Sequence, residues 1–180
     1  MSLAIRPTSL AGLLVLESAM AGDARGGFAR LFCAEALAAA GFEPQVAQAN
    51  LSTNTRRHTL RGLHWQDEPA GEAKIVRCLT GALWDVAVDL RPGSPTFRHW
   101  HAEELTPANG RALAIPRGFA HGFLTLADET SVLYLMGAAY DPSRARGARY
   151  DDPAFAIAWP APPAVIGPRD LAFPPFGAAG

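Results

Sequence analysis

A chain of 180 residues with 49% hydrophobic content is long enough to bury a substantial core and too apolar to be disordered. Its net charge of -1 excludes the broad basic surface that nucleic acid or an anionic membrane requires. Cys33 and Cys78 have neither CxxC spacing nor the density of a disulfide scaffold, so both are expected to be reduced.

Taken in order, residues 9–16 are apolar, and Ala19-Met20-Ala21 has the small-residue look of a signal-peptidase site. The apolar run is short and Glu17 interrupts it, so the expected reading is a first strand at 13–16 in a cytoplasmic protein. No later stretch approaches a membrane span. Residues 34–40 are Ala, Glu and Leu followed by Gly41, which predicts a short helix with a glycine cap. The remainder reads as short strands separated by turn residues: 73–79, 83–90, 99–105, 111–115, 121–126 and 131–136. Strands at this spacing, without helices between them, predict a β-sandwich or barrel.

Alternation sorts the 83–90 strand into two faces. Trp84, Val86, Val88 and Leu90 point one way, and Leu83, Asp85, Ala87 and Asp89 the other. The aspartate-bearing face either lines a polar cavity or meets water. From Tyr150 onward the chain is rich in Pro and Ala with weak periodicity, which predicts a tail wrapping the barrel within a single domain spanning 1–180.

Of the 16 basic residues, 15 are arginine and Lys74 is the sole lysine. A compact ammonium whose charge responds to burial differs from a planar guanidinium fork, so this exception marks a position of interest.

The most specific local pattern is Pro116-Arg117-Gly118-Phe119-Ala120-His121, a P-x-G-x-x-H turn entering a strand, which resembles the second half of the cupin motif pair. The first half normally supplies metal ligands. Here it reads His64-Trp65-Gln66, with six residues separating Lys74 from Gly81. Gln is a poor ligand and an ammonium repels a cation, so a metal-free, all-β cupin-like jelly roll is expected.

Over nearly its whole length the chain resembles the dTDP-4-dehydrorhamnose 3,5-epimerase family. The resemblance rests on Thr59-Leu60-Arg61-Gly62-Leu63-His64-Trp65-Gln66 and on further blocks in the same order. These include Gln48-Ala49-Asn50-Leu51-Ser52, Ala73-Lys74-Ile75-Val76-Arg77, Asp85 through Arg91, Ile115 through Phe123, Leu133-Tyr134, Arg146-Gly147 and Arg169-Asp170-Leu171. It implies epimerisation beside the C4 ketone of a nucleotide-linked 4-keto-6-deoxy sugar, with no cofactor. By resemblance His64 is the base, Tyr134 the proton donor and Asp170 the carboxylate orienting His64. Lys74 would face the developing C4 oxyanion, oriented by Asp85. Arg25 and Arg61 would bind the diphosphate, and His121, Gln48 and Asn50 would contact substrate. Tyr140 would stack on the base.

The resemblance also implies a homodimer, in which Arg25 completes the partner's site. Departures fall at Ala21, Arg30, Ala145 and Arg169, and they bear on nucleotide choice. A single-centre epimerase or ketoisomerase, and a non-catalytic sugar-nucleotide-binding cupin, remain alternatives.

Overall fold

The computed structural model describes residues 2–177. Two antiparallel sheets stack face to face in a cupin-like jelly roll. The first contains β1 (Leu3–Pro7), β2 (Leu14–Ser18), β10 (Arg111–Ile115), β7 (Lys74–Thr80), β12 (Thr130–Met136) and β5 (Gln48–Asn54), in that spatial order. The second runs β13 (Ala145–Gly147), β6 (Thr59–Gln66), β11 (Phe119–Thr125), β8 (Leu83–Asp89) and β9 (Trp100–Leu105). The strand β14 (Val165–Ile166) adds to β6 in parallel, and β3 (Ala21–Asp23) pairs only with β4 (Gly26–Phe28). The strand expected at 13–16 is therefore the second, since Leu3–Pro7 pairs with it along its whole length.

Period-two alternation places the core. Val76, Cys78, Leu83, Ala87, Leu113, Phe123 and Val132 meet between the sheets, and Phe123 is fully buried. Each such large side chain contributes about 1.5–3 kcal/mol relative to an exposed one. The alternate residues point outward and find separate cover. Ile75, Ala112 and Ala114 pack beneath Leu37 of α1 (Ala34–Ala39), the helix read from sequence, with Gly41 at φ +79° just past its end. Val86, Val88 and Ala120 pack beneath the C-terminal segment through Phe155, Ile157, Trp159 and Phe176. The wrapping tail is thus the outer layer of the second sheet. In β8 the aspartate face turns inward, and Asp85 and Asp89 are both fully buried.

The pairing of β6 with β11 contains one irregularity. His64 pairs with His121 and Arg61 with Phe123, so three steps on one strand match two on the other. This is a β-bulge at Gly62-Leu63. Gly62 sits at φ +120°, and a Cβ there would stand 2.5 Å from Gly122 Cα and 2.8 Å from the His121 carbonyl oxygen. Only glycine tolerates both the conformation and the approach.

Candidate active site

Between the sheets, open at one end, lies a cavity of ≈ 320 Å³. His64, Arg61 and His121 reach it from the second sheet, and Lys74, Tyr134 and Asn50 from the first. The bulge explains a parity problem. Arg61 and His64 are an odd number of residues apart and would face opposite sides of a regular strand, yet both line the cavity.

His64 Nε2 lies 2.7 Å from Asp170 Oδ1. The carboxylate's other oxygen accepts the Gly62 N–H at 2.9 Å, a group the bulge has released from the strand ladder. Burial pushes the Asp170 carboxyl up, but its bonds from His64 and Gly62 outweigh that and hold it below its ordinary range. An ionised carboxylate only accepts, so Nε2 carries the proton and Nδ1 keeps a free lone pair. Asp170 is delivered by α2 (Pro168–Leu171), a single helical turn entered through Pro168. Phe173, just beyond it, packs edge-on to His64 with ring centroids 5.9 Å apart. Its ring fills the space a side chain at Gly147 would need.

A second pair stands beside the first. His121 Nε2 lies 2.7 Å from Asp85 Oδ1, both buried, and Asp85 Oδ2 has no hydrogen-bond partner among the described residues. Burial pushes the Asp85 carboxyl up, with His121 opposing. The ring of Tyr134 meets His121 edge-on at 5.8 Å. Burial pushes the Tyr134 phenol far above its ordinary range, with the Asp85 charge adding to it, so the hydroxyl stays protonated and able to donate.

Lys74 departs from expectation. Asp85 is engaged with His121, and the lysine Nζ instead donates to Glu72 Oε1 at 2.8 Å. Sequence reasoning does not single out Glu72, although two residues of extended chain set it on the same face as the sole lysine. Gln66, in the degenerate ligand pattern, spends its amide on backbone. It donates to the Ala70 and Ala139 carbonyls and accepts from the Asp141 N–H.

The other expected residues divide. Arg61 lines the cavity, donating from Nε to Asn54 Oδ1 at 2.8 Å, and Tyr140 stands at the mouth, 58% exposed. Gln48 does not line the cavity, but its Oε1 accepts the Tyr140 N–H at 3.1 Å and so fixes the backbone that carries the aromatic ring. Arg25 is away from the cavity within this chain. It lies on the exposed β3–β4 hairpin, paired with Asp23. Ala21 shares that hairpin, and Arg30 is exposed beyond it, whereas Ala145 does line the cavity.

Sequence reasoning assigns no role to Arg146 or Arg169, which also line the cavity. Arg146 pairs with Asp67, and the Arg169 guanidinium lies 5.8 Å from the Phe173 ring centroid. Among the described residues, Arg61 and Arg169 are the cavity arginines without a carboxylate partner.

These features coincide with a documented family. The family model described as dTDP-4-dehydrorhamnose 3,5-epimerase matches residues 7–177. The chain is 42% identical over 152 residues to the dTDP-4-dehydrorhamnose 3,5-epimerase of Sinorhizobium fredii, covering 84% of this chain and 78% of that one. It is 38% identical to the dTDP-4-dehydrorhamnose 3-epimerase of Streptomyces niveus, covering 92% and 80%. A solved structure from Legionella pneumophila, of a dTDP-6-deoxy-D-glucose-3,5-epimerase in complex with dTDP-4-keto-L-rhamnose, superposes with TM-score 0.93 at 35% identity, covering 99% and 95%. The chain belongs to the dTDP-4-dehydrorhamnose 3,5-epimerase family.

Proposed function

We propose that this protein is an isomerase that epimerises C3, C5 or both on a dTDP-linked 4-keto-6-deoxy sugar, using no cofactor. The observation that carries this is a base and a donor on opposing walls of one cavity. His64 comes from the second sheet and Tyr134 from the first. A sugar ring between them offers one face to each, which is what inversion through an enolate requires. His64 Nδ1 removes the proton α to the C4 ketone, Asp170 stabilises the imidazolium, and the Tyr134 hydroxyl returns a proton to the other face. The Lys74 ammonium faces the C4 oxygen, where negative charge develops. Arg61 and Arg169, without carboxylate partners, take the diphosphate bidentately, and Tyr140 at the mouth stacks on the base.

The likeness to the Streptomyces niveus 3-epimerase favours a second reading, a single-centre epimerase on the same scaffold. Of the departures, Ala145 and Arg169 reach the cavity of this chain, so an altered nucleotide preference acts through them. The whole chain works as one unit, in the cytoplasm, where its two free thiols remain reduced. A homodimer is supported by β5, which pairs on one side only and exposes Leu51, and by the hairpin that leaves Met20 and Phe28 66% exposed. Pairing of two copies brings Arg25 to the partner's cavity. Sedimentation at micromolar concentration tests this, and a monomer refutes it.

The reaction is tested by incubating the protein with dTDP-4-keto-6-deoxyglucose in deuterium oxide and reading label at C3 and C5 by NMR. Label at both positions supports the double epimerase and label at C3 alone the single-centre reading. Binding with no label at either position leaves a non-catalytic module. His64→Asn should abolish labelling, whereas Tyr134→Phe should admit label while blocking net inversion.

A further inference from the structure

The sole lysine is not held where the family resemblance puts its partner, and the carboxylate that does hold it has no assigned role. Glu72 Oε1 accepts from Lys74 Nζ at 2.8 Å, with side chains only 7% and 5% exposed, and both residues line the cavity. Asp85, the other carboxylate of this region, already bonds His121. A lysine stem has four rotatable carbons, so an ammonium without a fixed partner would sample several positions along the wall. The carboxylate reduces these to one.

We propose that Glu72 is a positioning residue: it fixes the Lys74 ammonium for the C4 oxygen. This rests on the epimerase reading above, in which Lys74 faces the oxyanion. The carboxylate contacts Lys74 and acts through it. An amide oxygen at the same place still accepts from the ammonium, so position and charge are separable.

The test compares wild type with Glu72→Ala and Glu72→Gln in the full chain. Because Lys74 is the only lysine, lysine labelled at the ε-nitrogen gives one side-chain resonance, which reports on this ammonium without reference to activity. Glu72→Ala should move or broaden that resonance and lower kcat about 100-fold, the scale of an ångström-sized misplacement, with affinity for dTDP unchanged. Glu72→Gln should restore most of kcat. An unmoved resonance, an unchanged kcat in Glu72→Ala, or equal losses of kcat and dTDP affinity would each overturn the proposal. If the resonance moves as expected but wild type exchanges no deuterium at C3 or C5, the pairing stands and the epimerase reading fails instead.

Discussion

Asp170→Asn separates holding the histidine from merely touching it. Asp170 receives two donors, the His64 Nε2–H at 2.7 Å and the Gly62 N–H at 2.9 Å. An asparagine has one oxygen and one NH2 group in their place. The Gly62 N–H is a backbone donor that cannot become an acceptor, so the amide oxygen turns to it. The NH2 then faces Nε2, which must accept, and the histidine proton moves to Nδ1. The lone pair needed for abstraction is thereby lost. An enforced wrong tautomer of this kind costs about 10⁴-fold in rate in a serine-protease triad, which corresponds to about 5.5 kcal/mol of barrier.

Asp170→Ala is different. It removes a charge-assisted hydrogen bond worth about 1.5–3 kcal/mol, or about 10- to 150-fold, but imposes no tautomer. His64 is 41% exposed at its side chain, so water can serve either ring nitrogen. We therefore expect Asn to be the slower enzyme and the more stable protein, with Ala reversed on both counts. Deuterium incorporation rates and urea midpoints measure the two quantities. An Asp170→Asn variant faster than Asp170→Ala would refute the tautomer argument.

Three other perturbations have definite expected outcomes. Burial pushes the Asp89 carboxyl up, but bonds from Arg91, Ser94 and Thr96 outweigh it and hold the group well below its ordinary range. Its contribution is therefore present above the unfolded value of about 3.9 and lost as pH falls further. Asp89→Asn should cost about 3 kcal/mol at pH 7, and the gap to wild type should narrow below about pH 4, as read by urea unfolding. Gly147→Ala places a methyl group where the Phe173 ring lies, so the tail turn beside His64 must shift. Deuterium exchange should fall at least about 10-fold while the unfolding midpoint moves little, because Phe173 lies outside the three main buried clusters. Arg169→Ala should weaken dTDP binding about 10-fold or more by calorimetry, and an unchanged affinity would remove it from the diphosphate site.

Much of this arrangement can be read in the residues themselves. The strands 111–115 and 131–136, the short helix and the outer tail follow from alternation, alanine content and proline density, all properties of neighbouring residues. The strand Gln48–Asn54 is visible in sequence only as a motif, since it is an edge strand whose residues are mostly exposed and carry no apolar alternation. Trp84 and Asp85 mark two faces of β8, but only the packed sheets decide that the acidic face is interior.

His64, Arg61, Lys74 and Tyr134 are legible through the family resemblance, and the structure brings them to one cavity. Their partners are harder. The family resemblance assigns Asp85 to Lys74 and does not single out Glu72, and only coordinates show which carboxylate holds the ammonium. The Asp85–His121 bond is what leaves the lysine to Glu72. Arg169 stands out in sequence only as a departure, because its access to the cavity depends on a turn that carries no periodic signal.

The His64–Asp170 pair spans 106 residues of sequence, and this sets an order on the protein's synthesis. The ribosome emits every strand from β1 to β14 before it reaches residue 170. The carboxylate that orients the histidine is thus among the last groups to leave the ribosome, on a turn outside both sheets, so a chain cut short just beyond β14 keeps every strand and loses the Asp170 partner of His64.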